Sequence, residues 1–234
     1  MNWQNKYKKA VTFSYDDGTT QDIRLIELLN KYGLKCTFNL NSQKLGKSAI
    51  LEREGMRIAH YKLSPQDVKM VYEGHEIAAH TLTHPRLTEL DESEIIRQVE
   101  EDRLNLEEIV GYEVVGLAYP CGGVNHDDRV VDIIKNKTNI KYCRTNLKTD
   151  SFDVQEDLYR IKSNVHHVFQ GDRLMEMAKK FVEAETDKTQ IFYVFGHSFE
   201  LDYGTEYWAK LEEFFEFISG RNDIFYGTNK DVLL

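Results

Sequence analysis

The 234-residue sequence lacks the features that mark several large classes of protein. No apolar run approaches the ~18 residues that a membrane-spanning helix requires. Basic residues are also in deficit, since 30 of them stand against 39 acidic residues and leave a formal charge of −9. A nucleic-acid backbone requires a basic surface, so this acidic balance argues against such a ligand. We therefore expect no membrane segment and no nucleic acid partner.

Cysteine and proline are scarce as well. The three cysteines, Cys36, Cys121 and Cys143, form no CxxC pair and cannot all be joined, so a disulfide scaffold is not expected.

The first residues carry charge but no apolar stretch follows them, which differs from a signal peptide. We expect a cytoplasmic protein if the sequence is full length, and a secreted one if a signal was removed.

Short β-like segments alternate with helical segments along the chain. The predicted strands are 9–15, 35–40, 75–81, 114–119, 141–145, 159–165, 191–196 and 224–227, and the predicted helices are 19–32, 64–72, 91–110, 126–137, 172–184 and 206–219. Such alternation is typical of βαβ units with a parallel sheet. About seven or eight units favour one α/β domain, residues 1–234, closed or nearly closed into a barrel. Segment 42–63 is predicted to be an irregular loop beside the site.

Four polar motifs lie where predicted strands end. They are Asp16 with Asp17, His80 with His84, the turn from Tyr119 to Cys121, and His197. Each has an ordinary alternative: Asp-Asp-Gly is common turn chemistry, and single histidines are often core or surface groups. Together they are more specific, because the carboxyl ends of barrel strands are where active sites assemble. One carboxylate and two imidazoles with open positions are typical of a catalytic metal ion.

These residues resemble the motifs of the polysaccharide deacetylase superfamily (NodB homology, carbohydrate esterase family 4). The segment from Thr12 to Gly18 resembles the first motif, His80 to His84 resembles H-[ST]-x-x-H, Tyr119 to Gly122 resembles the third motif, and His197 the last. The resemblance implies a distorted (β/α)7-type barrel with the NodB-like glycoside hydrolase/deacetylase fold. It also implies a metal-dependent hydrolase that removes N- or O-acetyl groups from a carbohydrate, with metal-bound water as the nucleophile.

The same resemblance implies a role for each residue. Asp16 would be the general base and His197 the general acid, and the metal ligands would be Asp17, His80 and His84. The backbone N–H of Cys121 would bind the oxyanion. Separately from the resemblance, Tyr119 is a candidate for substrate contact because it is an aromatic residue within this motif. The cofactor would be one divalent ion, with zinc as first choice and cobalt, nickel, manganese or iron as alternatives. The partner would be an acetylated glycan or oligosaccharide; the oligomeric state is not predicted.

The sequence also departs from the family pattern. Ala118 stands where the family has an arginine that pairs with the base, and no D-x-x-D-W motif is present. Arg160 is the candidate replacement for the arginine, and Glu200 or Asp202 is the candidate partner of His197. Two other functions stay open. One is a metal-dependent amidohydrolase acting on a small non-sugar amide; the other is a non-catalytic carbohydrate-binding protein of the same fold.

Overall fold

The computed structural model describes residues 3–53, 55–168 and 172–234. The strands are β1 (Lys9–Asp16), β2 (Cys36–Leu40), β3 (Ser48–Arg53), β4 (Met56–Tyr61), β5 (Glu76–Ala79), β6 (Gly116–Ala118), β7 (Tyr142–Lys148), β8 (Ile161–Ser163), β9 (Val165–His166), β10 (Gln190–Gly196) and β11 (Ile224–Tyr226). The helices are α1 (Asp22–Lys31), α2 (Pro65–Val71), α3 (Glu92–Val110), α4 (Asp128–Lys137), α5 (Arg173–Glu183), α6 (Tyr207–Ile218) and α7 (Asn229–Leu233). No helix in these three ranges is both long and apolar enough to cross a bilayer.

One parallel sheet forms the centre of the protein. Its strand order is β8-β7-β6-β5-β2-β1-β10-β9, and β11 pairs with β1. Every residue of β1, β2 and β5 is buried, which is the burial pattern of a sheet covered on both faces. Apolar side chains of the surrounding helices, such as Leu25 and Leu29 of α1, pack against the sheet in the main core. The parallel sheet therefore brings the carboxyl ends of its strands to one rim.

The sheet is nearly closed into a barrel, because its two outer strands are neighbours in the chain. Strands β8 and β9 lie at opposite ends of the strand order, yet only Asn164 separates them. The Asn164 backbone N–H donates to Tyr193 of β10 at 2.8 Å, and its side-chain amide donates to Thr149 at 3.1 Å. This buried asparagine thus joins the edges that an open sheet would leave apart. The predicted α/β barrel is confirmed.

Two predictions of local structure are wrong, and one short helix was not predicted. Segment 42–63 is not an irregular loop: most of it forms the antiparallel hairpin β3–β4, with Gly55 near its tip at φ +80°. The predicted strand 159–165 is divided into β8 and β9, because Asn164 turns the chain across the barrel seam. Helix α7, capped by Thr228, was not predicted, since five residues are too few to show a helical period.

Candidate active site

Strained backbone marks one rim of the barrel. Within the described residues, positive φ at non-glycine positions occurs only at Asp17 (+85°), Thr81 (+66°), His84 (+65°) and Cys121 (+71°). All of them follow β1, β5 or β6 and belong to the motifs found in the sequence. Such conformations cost roughly 1–3 kcal/mol each, and they persist where the surroundings hold a functional geometry. The strain therefore coincides with the predicted site.

Two buried asparagines hold these loops. The side-chain amide of Asn41 donates to the carbonyl oxygen of Thr81 at 2.8 Å and also to that of His80. The side-chain amide of Asn125 donates to the carbonyl oxygens of Tyr119 at 3.2 Å and Cys121 at 3.0 Å. These hydrogen bonds give partners to backbone carbonyl oxygens of the turns after β5 and β6, and they therefore stabilise both turns.

The predicted metal ligands are brought together. Each of Asp17, His80 and His84 offers a ligand atom, and these atoms lie within 4.8 Å of one another. The Nδ1 of His80 lies 2.8 Å from the carbonyl oxygen of Ala118, so an N–H there leaves the lone pair of Nε2 for a metal. This outer hydrogen bond is the usual arrangement of a metal-binding histidine. The donor set fits a divalent cation with open coordination positions.

Electrostatics favour the metal-binding forms of the two histidines. Burial lowers the pKa of His80, and burial with the neighbouring His80 lowers the pKa of His84 to about 3. Both imidazoles are therefore neutral near pH 7, as ligation requires. The Sγ of Cys121 lies 3.7 Å from the Nδ1 of His84, which places the predicted oxyanion residue beside this cluster.

Hairpin β3–β4 and the residue after it contribute groups that the sequence interpretation missed. The Nε2 of His60, on β4, lies 3.3 Å from one carboxylate oxygen of Asp17. The buried ammonium of Lys62 lies 3.1 Å from the other oxygen. Burial would raise the pKa of Asp17, but the hydrogen bond from His60 and the charge of Lys62 hold it well below its ordinary value. Asp17 is therefore an ionised carboxylate and can serve as a metal ligand.

Asp16, the predicted base, is a buried carboxylate with two strong partners. The side-chain amide of Asn39, its register partner on β2, donates to one oxygen at 2.8 Å, and the guanidinium of Arg144 donates to the other. Burial would raise the pKa of Asp16, but the positive charge of Arg144 outweighs it and holds the pKa below its ordinary value. Asp16 is ionised at neutral pH and can accept a proton.

The arginine expected from the family pattern is present, but one strand away. Arg144 on β7 is the direct register partner of Ala118 on β6, so its side chain reaches the base from the adjacent strand. The prediction that Arg160 fills this role is wrong. Arg160 pairs instead with Asp128 at 2.6 Å and Asp157 at 2.8 Å, and its side chain is 33% exposed. An arginine inside the predicted strand 141–145 was the available sequence signal, because a buried arginine requires a partner of opposite charge.

His197 follows β10 and lies opposite the base. Its Nε2 is 3.8 Å from a carboxylate oxygen of Asp16, and its Nδ1 is 3.2 Å from Oε2 of Glu200. Burial would lower the pKa of His197, but the charge of Glu200 overcomes this and raises the pKa to about 9. The structure thus places Glu200 beside His197 as expected. Asp202 instead accepts hydrogen bonds from Trp208 and Gln21.

The side chain of Tyr119 does not line the site, so the predicted substrate contact by this residue is wrong. Its ring is 2% exposed, stacks on His126, and donates its hydroxyl hydrogen to the carbonyl oxygen of Tyr159. Successive side chains of a strand point to opposite faces, so a tyrosine at a strand end can face either the core or the site. The sequence alone did not fix that direction.

A family model described as "Polysaccharide deacetylase" matches residues 4–141, more than half of the chain. The chain belongs to the polysaccharide deacetylase family. Among curated proteins it is 29% identical over 127 residues to peptidoglycan-N-acetylmuramic acid deacetylase PdaC of Bacillus subtilis. That match covers 52% of this chain and 23% of the relative, so the chain spans about a quarter of the relative's length.

Solved structures confirm the barrel fold. The Xyl-CE4 domain of a multidomain xylanase from a Trinervitermes trinervoides hindgut metagenome has a TM-score of 0.58 at 17% identity, covering 97% of this chain and 90% of that one. A carbohydrate esterase family 4 pseudoenzyme from Bacillus anthracis has a TM-score of 0.59 at 17% identity, covering 97% and 66%. Since one of these neighbours is a pseudoenzyme, the fold alone does not establish catalysis in this deacetylase-family chain.

Proposed function

We propose that this chain hydrolyses acetyl groups from an acetylated carbohydrate with the help of one divalent metal ion, with zinc as the first choice. One observation carries the proposal. The ionised carboxylate of Asp16 and the imidazole of His197 face each other at 3.8 Å, on the rim that holds the Asp17, His80 and His84 cluster. An acid and a base beside a metal-binding set are the groups that hydrolysis of an amide or ester requires.

A divalent ion bound to these three residues would lower the pKa of water and polarise the acetyl carbonyl. Asp16 accepts the proton of the attacking water, since Arg144 keeps its carboxylate ionised. Asn39 and Arg144 hold the two carboxylate oxygens in place, so the base does not need to reorganise during the step. The role of Arg144 is positioning, because it acts through Asp16.

His197 completes the reaction from the other side. Its raised pKa keeps the imidazole protonated at neutral pH, and Nε2 faces the space next to Asp16. The proton passes from Nε2 to the departing amine or alkoxide. Amide cleavage depends most on this step, because an unprotonated amine is a poor leaving group. Glu200 stabilises the protonated imidazole through its negative charge.

The strained turn at Cys121 supports a further contribution. We assign its backbone N–H to the developing oxyanion, a contact worth roughly 3 kcal/mol for one well-placed donor. Two features support the assignment: the turn is held by Asn125 at 3.0 Å, and the Cys121 side chain lies next to His84. A backbone donor fixed in this way would be ready before the substrate arrives.

An N-acetylated amino sugar is the first substrate to test, because the name of the Bacillus subtilis relative is that of a peptidoglycan-N-acetylmuramic acid deacetylase. The purified protein, with its metal content measured, should be incubated with N-acetylated oligosaccharides, O-acetyl xylan and small amides. Acetate release from a carbohydrate supports the proposal. Release from the small amides alone favours the amidohydrolase alternative, and binding of glycan without release favours the non-catalytic one.

A further inference from the structure

A second cluster of metal-binding side chains lies behind His197. It consists of His166 and His167, at the end of β9, and Glu200, in the 3₁₀ segment after β10. Their ligand atoms all lie within 4.8 Å of one another. The Nε2 atoms of the two histidines are each 3.1 Å from Oε2 of Glu200. Two imidazoles and one carboxylate match the donor set of several catalytic zinc sites.

This carboxylate oxygen has more nitrogen neighbours than it has lone pairs. Besides His166 and His167, the backbone N–H of His197 donates to it at 3.1 Å. The Nδ1 of His197 lies 3.2 Å away, although it lacks the alignment of a hydrogen bond. An oxygen accepts about two good hydrogen bonds. Oε2 of Glu200 therefore cannot accept good hydrogen bonds from all of these nitrogens at once. A bound cation would replace protons that the imidazole nitrogens share with this oxygen.

The opposite ring nitrogens of both histidines have outer partners. The Nδ1 of His167 lies 3.0 Å from the hydroxyl of Tyr15. The Nδ1 of His166 lies 2.9 Å from the carbonyl oxygen of Val168 and 3.2 Å from its backbone nitrogen. With a proton on Nδ1, the histidines would keep these outer contacts and offer the Nε2 lone pairs to an ion. With the proton on Nε2 they donate to Glu200 instead, and for His166 the Val168 backbone N–H then donates to Nδ1. Such outer hydrogen bonds orient histidines that bind metals.

The absence of a side chain at Gly196 leaves room for the His167 ring. A Cβ at Gly196 would lie 1.9 Å from a carbon of that ring, so a side chain at this position would displace the imidazole from Glu200. Strand β9 pairs with β10 in the same place, with His166 opposite Phe195. The buried ring is thus fixed by the sheet and not by a mobile loop.

We propose that His166, His167 and Glu200 form a second divalent metal site, which shares no residue with the Asp17, His80 and His84 site. An ion there must compete with the hydrogen bonds of Glu200, so it binds more weakly than an ion at the first site. Occupation also takes Oε2 of Glu200 from His197 and adds positive charge beside that imidazole. This consequence rests on the proposed function: excess metal inhibits deacetylation, because the ion competes for the hydrogen bond that Glu200 accepts from the backbone N–H of His197 and so shifts this residue.

Calorimetric titration with zinc tests the site without relying on activity. The metal-free wild-type protein should show a tight and a weak binding event. His84→Ala should keep only the weak event, whereas Glu200→Gln and His167→Asn should keep only the tight one. His126→Asn is the matched control, since that histidine lies in neither cluster, and it should keep both events. Thermal melting establishes that each variant is folded. If His167→Asn does not fold, Glu200→Gln provides the test of the second site.

Saturation of the wild-type protein by a single zinc ion would overturn the proposal, as would a weak event that survives in Glu200→Gln. Acetate release then tests the inhibitory effect. Filling the weak site should lower wild-type acetate release about tenfold, a smaller loss than the roughly 100-fold or more expected when an acid catalyst is removed. Two binding events without acetate release under any condition would refute the proposed function but not the site. Acetate release with a single event would do the reverse.

Discussion

The guanidinium of Arg144 contacts the carboxylate of Asp16 from the strand next to the one that ends at Ala118. Register places Arg144 directly beside Ala118, so the positive charge is kept although the expected sequence position is lost. Both side chains are almost fully buried, and the two charges depend on each other for stabilisation. Loss of arginine from the third motif is therefore not evidence for an inactive member of the family.

Removing this charge should impair both stability and catalysis. Arg144→Gln leaves the buried carboxylate of Asp16 uncompensated, at a cost of roughly 3–5 kcal/mol in the free energy of unfolding. Burial then dominates and raises the pKa of Asp16, so the base loses its proton only at higher pH. We expect the acid limb of kcat/KM to move upward in pH, with partial restoration by Arg144→Lys. Arg160→Gln is the control, and an equal effect of both substitutions would contradict the assignment.

Substitution of a ligand should remove the metal without unfolding the barrel. His84→Ala deletes one of three ligands from a loop, so zinc bound at the tight site should fall well below one equivalent after dialysis. His75→Gln is the matched control, because His75 lies just before β5, at its opposite end, and contacts Asn30 and Cys36. Elemental analysis of both folded variants provides the measurement. Full zinc retention by His84→Ala would exclude this ligand set.

The activity profile should have an alkaline limb set by His197. Its imidazole must be protonated to act as an acid, and its pKa is raised to about 9, so kcat/KM should fall as pH rises through that value. Glu200→Gln removes the charge that stabilises the protonated form, hence the limb should move toward neutral pH. Rates measured across pH with one equivalent of zinc test this prediction. An unchanged limb in Glu200→Gln would show that Glu200 does not tune the acid.

Sequence patterns predicted the parts of the site that strand ends define. Asp16, His80 and His197 each follow or end a buried strand, and parallel strands bring such ends to one rim. The pattern did not reveal Arg144 as the partner of Asp16, because sheet register decides which residues of adjacent strands lie side by side. It also missed His60, because hairpin β3–β4 approaches Asp17 only after the chain has folded.

The second cluster shows the same limit. His166 and His167 were adjacent in the sequence, but nothing local indicated that Glu200, more than thirty residues away, would face both. Their meeting depends on the crossing of the chain at Asn164 and on the close approach at Gly196. Contacts across the seam of a barrel are set by how the sheet closes, and secondary-structure patterns do not contain that information.

The central claim is that Asp16 removes a proton while other residues hold the metal. The most direct measurement is acetate release by Asp16→Asn, compared with the wild-type protein at equal zinc content, with folding checked by thermal melting. We predict that the variant retains one tightly bound zinc and loses roughly 100-fold to 10,000-fold in kcat, the usual contribution of a general base. Wild-type turnover by the folded, zinc-bound variant would contradict the account.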